Sequence, residues 1–124
     1  MKNQNKTQQQ PLLKQHQSSK QSPSSKPRSV TNLIKECHDV ACSKGWWEGE
    51  RNDAELIALM HSELSEALEA MRNDLGKEAV AEELADCCIR IFDYCGARGV
   101  DLEEALKHKA EKNKSRPYRH GKKF

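Results

Sequence analysis

The segment Lys77–Arg98, KEAVAEELADCCIRIFDYCGAR, limits the chain more than any other stretch. Its apolar residues are Val80, Leu84, Ala85, Cys87, Cys88, Ile89, Ile91, Phe92, Tyr94 and Cys95. At helical spacing these cover far more than the stripe of about 100° that an ordinary surface helix turns toward its core. A helix apolar nearly all round needs burial on several sides, and a chain of 124 residues holds one domain at most. Such a domain has few interior helices to offer. The pattern therefore predicts an oligomer with helices two and three at its shared core. Among its polar residues, Glu83, Asp86, Arg90 and Asp93 form one narrow strip.

The other elements also read as helix, and no stretch alternates at period two for long enough to be a strand. Helix one is expected from Val30 to Lys44, with Ser29 as N-cap and Gly45 just past its end. Helix two runs from Asp53 to Asn73 behind an Asn52/Glu55 capping pair. Helix three lies between Gly76 and Gly99. Helix four runs from Leu102 to Asn113, capped by Asp101 and stopped before Pro117. The fold class is all-α, a four-helix bundle over residues 30–124.

Residues 1–29 differ in kind. They are Gln, Ser, Lys and Pro with six basic residues, no acid and few apolar side chains. That composition cannot bury enough surface to offset ordering entropy, so a disordered tail is expected, with no apolar run suited to a signal peptide or membrane span. The chain carries +2 overall. The tail takes six of its 21 basic residues and none of its 19 acids, leaving residues 30–124 at 15 against 19, a net −4. This balance disfavours nucleic acid as the partner of the domain. The five cysteines, Cys37, Cys42, Cys87, Cys88 and Cys95, are odd in number and include no C-x-x-C pair. They read as reduced thiols of a cytoplasmic protein.

Helix two raises the chemical question. Glu63 shares its face with Leu56, Met60, Ala67 and Ala70. A carboxylate in an apolar stripe needs a compensating charge. Glu63-x-x-Glu66 on helix two and Glu83-x-x-Asp86 on helix three each place two carboxylates on one face, Cβ atoms roughly 5–6 Å apart. A short connection makes the two helices antiparallel neighbours, so the pairs face each other. Four such charges stay ionised only with cations among them, and hard oxygen donors select Mg2+, Mn2+ or Ca2+. Surface charge on solvated helices is the plainer alternative. A Mg2+ cluster usually serves phosphates, and Lys109, Asn113 and Arg116 near the C-terminus are candidate phosphate ligands.

The doubled acidic motif, the sixteen residues between its halves and the trailing Lys109-x-x-x-Asn113-x-x-Arg116 resemble the MazG-like all-α nucleoside triphosphate pyrophosphohydrolase superfamily over roughly residues 31–118. The resemblance implies Mg2+-dependent cleavage of a nucleoside triphosphate between the α and β phosphates, giving the monophosphate and pyrophosphate, with deoxynucleotides favoured. It implies Glu63, Glu66, Glu83 and Asp86 as metal ligands and Glu66 as general base. Lys109, Asn113 and Arg116 would neutralise the polyphosphate. One of Trp46 and Trp47 would stack on the base, and His38 would meet a base edge. It further implies a homodimer or homotetramer. The sequence departs from pyrimidine-directed relatives where a second Trp would follow the first acidic motif and Met71-Arg72-Asn73-Asp74 stands instead. Two other readings stay open: a phosphoribosyl-ATP pyrophosphohydrolase, and a non-catalytic helical interaction module with basic tails.

Overall fold

The computed structural model describes residues 27–124, so the expected disorder of the tail falls, up to residue 26, outside the described residues. Among the described residues there are four α-helices and no strand: α1 (Val30–Ser43), α2 (Asp53–Arg72), α3 (Lys77–Arg98) and α4 (Leu102–Lys114). A bent turn, Tyr118–Gly121, follows. The capping residues act where the sequence places them. Ser29 Oγ accepts from Asn32 N–H, the Asn52 side chain from Ala54 and Glu55 N–H, and Asp101 from Glu104 N–H. Each satisfies amides that the first helical turn leaves unpaired. Gly99 ends α3 in the left-handed region, φ 64°, which costs glycine least. The helix ends lie within one residue of expectation.

α2 and α3 form an antiparallel pair, α1 packs against α3, and α4 lies on α1. The core runs along α3 and is thin. Ile34, Leu56, Ala67, Ala70, Cys87 and Cys95 are buried, and among the described residues no large side chain is fully enclosed. Small residues set the helix spacing. A Cβ on Gly96 of α3 would lie 2.6 Å from His38 Cβ on α1, so only glycine allows this approach. The single chain does not enclose α3 on several sides: Leu84 and Ile89 are 44% and 47% exposed. Leu64, Leu68 and Met71 on α2 are also exposed. No helix of the described residues is long and apolar enough to cross a membrane.

Candidate metal centre and adjoining cleft

The helical spacing and the antiparallel pairing together bring the carboxylates to one place. Glu63 from α2 and Glu83 and Asp86 from α3 each offer an oxygen within 4.8 Å of the others. Glu63 is buried at 6% exposure, Glu83 half-buried and Asp86 exposed. Glu66, one turn along α2, is exposed beside them. Its carboxyl is pushed above the ordinary range, first by the Glu63 carboxylate and then by Glu83. Glu66 therefore holds a proton more readily than Glu63. Three convergent carboxylates, one of them rooted in the core, form a hard-oxygen donor set that could hold a metal ion.

Arg90, which the sequence reading left without a role, already compensates Glu63. Its Nε donates to Glu63 Oε1 at 2.6 Å. This contact, ahead of every other cause, holds the Glu63 carboxyl below the ordinary carboxylate range. A cation is thus not required to account for a carboxylate in the apolar stripe, which corrects that step of the expectation. The signal was present: Arg90 sits on the same polar strip as Asp86, four residues on.

Beside the cluster lies a cleft of about 310 Å³. Cys37, Val40 and Ala41 of α1, Lys44 just past its end, Trp46 and Arg51 of the following loop, and Glu63, Asp86, Ile89, Arg90 and Asp93 line it. Trp46 is 61% exposed. The neighbouring Trp47 is engaged: its Nε1 donates to Asp93 Oδ1 at 2.8 Å, and the Arg51 and Arg98 guanidinium groups lie 4.9 Å and 5.6 Å from its ring. His38 Nδ1 meets the same Asp93 oxygen at 2.8 Å. Trp46 is therefore the tryptophan with a ring available to the cleft, and His38 and Trp47 brace its α1–α3 side.

Lys109, Asn113 and Arg116 are not among the cleft residues. Lys109 and Asn113 are exposed on α4, which packs on α1, and Arg116 Nη1 lies 3.2 Å from His120 Nδ1. Within one chain, the cations at the cleft are Lys44, Arg51 and Arg90. The sequence signal for Lys44 and Arg51 was weak: they flank the two tryptophans, Lys44 at the expected end of helix one and Arg51 in a loop without helical periodicity. No protein-family model, curated protein or solved structure matches the chain.

Proposed function

We propose that the chain is a Mg2+-dependent nucleoside triphosphate pyrophosphohydrolase. The observation that carries the reading is the convergence of Glu63, Glu83 and Asp86 within 4.8 Å, at the edge of a cleft with an exposed tryptophan and cationic walls. Glu63, Glu83 and Asp86 would hold the cation, with Glu66 beside them. A divalent cation held there would supply neutralisation of phosphate charge and a more acidic attacking water. Glu66, exposed beside these carboxylates, would accept the proton of that water. Lys44 and Arg51 face the polyphosphate, and Trp46 offers its ring to the base. Lys109, Asn113 and Arg116 serve the same pocket from a second copy. The exposed Leu64, Leu68, Met71 and Leu84 supply the apolar surface for a homodimer or homotetramer.

The test is release of pyrophosphate from the common ribo- and deoxyribonucleoside triphosphates and from phosphoribosyl-ATP, with Mg2+ and with chelator. Mg2+-dependent pyrophosphate with the matching monophosphate supports the reading. Release from phosphoribosyl-ATP alone moves the substrate class. No release from any of them leaves the helical interaction module, whose apolar faces then meet a partner protein.

A further inference from the structure

On the α1–α3 side of the cleft, the two helices assemble a second set of reactive side chains. His38 and Cys42 lie four residues apart on one face of α1. Cys42 Sγ lies beside the His38 ring, 3.5 Å from Nε2 and 3.9 Å from Nδ1, and Nδ1 stands 2.8 Å from Asp93 Oδ1. Trp47 Nε1 donates to the same carboxylate oxygen, and its ring meets the imidazole edge-on at 5.5 Å. The close approach of Gly96 backs the ring from α3. The imidazole is fixed on several sides. A proton on Nδ1, directed at the carboxylate, leaves Nε2, the ring nitrogen nearer the thiol, as the acceptor. Cys42 and Cys88 are exposed, Cys37 is half-buried, and Cys87 and Cys95 are buried, which pushes both of their thiols up; Cys42 is the one with an imidazole beside it among the described residues.

We propose that Cys42 is a modification site for small-molecule disulfides, with His38 as its proton acceptor and Asp93 as a positioning residue. His38 Nε2 takes the thiol proton, and the Cys42 sulfur attacks one sulfur of a disulfide RS–SR. The S–S bond breaks as Cys42–S–S–R forms, and the leaving RS⁻ takes the proton from His38 and departs as RSH. One disulfide is exchanged for another, so no further oxidant enters. Cys42 lies in the last turn of α1, where the helix dipole opposes a thiolate. The modification therefore depends on His38. It does not depend on the reading of the carboxylate cluster.

The test follows glutathione disulfide uptake by the reduced full-length protein near neutral pH, resolved at each cysteine by mass spectrometry. Folded Cys42 is expected to react about threefold or more faster than Cys42 of the urea-unfolded chain. The gain is modest because nucleophilicity falls as the thiolate fraction rises. His38→Gln, its native circular dichroism retained, is expected to remove the gain. Asp93→Asn is expected to return the pH profile of Cys42 labelling to that of the unfolded chain. The titratable and charged groups around the ring in that profile are Cys37 and Cys42 on α1, Asp93 on α3, and Arg51 and Arg98 behind Trp47. Cys42 labelling no faster folded than unfolded, or an unchanged rate in folded His38→Gln, overturns the proposal. If His38→Gln does not fold, the wild-type comparison decides it.

Discussion

Replacing Arg90 by Met separates what the ion pair does for Glu63 from what a cation does. The Met side chain keeps most of the stem packing and removes the charge. In the wild type the pair is 2.6 Å long, with the Glu63 side chain 8% exposed and Arg90 38%. Removing one partner of a fully buried pair costs about 3–5 kcal/mol, and an exposed pair is worth about 0–1 kcal/mol. With one partner more than a third exposed, the expected loss is about 2 kcal/mol, or roughly 10 °C in Tm for a domain of this size. Glu63 would then remain buried beside Glu83 and Asp86 with no cation near it. Mg2+ is expected to restore much of the loss: at about ten times Kd it adds about 1.4 kcal/mol. The gain should be larger in Arg90→Met than in wild type, where Arg90 competes for Glu63. Differential scanning fluorimetry at fixed protein concentration, with Mg2+ and with chelator, reads both effects. A cation-free variant within about 2 °C of wild type would refute the stabilising role of the pair. No Mg2+ gain in either protein would refute the metal centre.

Glu63→Gln is expected to abolish pyrophosphate release and to lower Tm by several degrees, since the Arg90 partner is lost; full activity would remove Glu63 from the centre. The pH response follows from two opposed shifts. Glu63, held below its ordinary value of 4.5, stabilises fully above that value, and the contribution is lost as pH falls through its lowered folded pKa. Glu66, held above the same value, opposes folding while ionised, and this repulsion is relieved on acidification before Glu63 protonates. Between about pH 7 and about pH 3, the stability difference between wild type and Glu66→Gln should therefore narrow as Glu66 protonates; a difference independent of pH contradicts the shift. Trp46→Ala is expected to raise KM with little change in Tm, whereas Trp47→Ala is expected to lower Tm through the loss of its Asp93 hydrogen bond and packing. The reverse pattern in kinetics and melting would exchange their roles. Gly96→Ala is expected to cost about 1–3 kcal/mol by driving α1 off α3, measured by urea unfolding; an unchanged midpoint would show that the interface yields freely.

Helix positions were legible because their causes are local. Ser29, Asn52 and Asp101 cap the amides just after them, and Gly99 takes the left-handed turn that closes α3. The i,i+3 spacing of Glu63 with Glu66 and of Glu83 with Asp86 follows from helical pitch alone. Their convergence needed one further step, the short antiparallel turn, which Gly76 also marks in the sequence. The partner of Glu63 was not legible. Arg90 reaches it across 27 positions, and that contact depends on how far α3 is rotated about its axis. The same holds for the cleft. The path of the loop after α1 turns Trp46 outward and Trp47 onto Asp93, and brings Lys44 and Arg51 to the wall, while α4 carries Lys109 and Asn113 along α1 instead. Capping and periodicity are decided within a turn or two of chain, so residue order sets them. Helix rotation and loop path are decided by packing between distant segments, so only the assembled tertiary structure shows which charges meet.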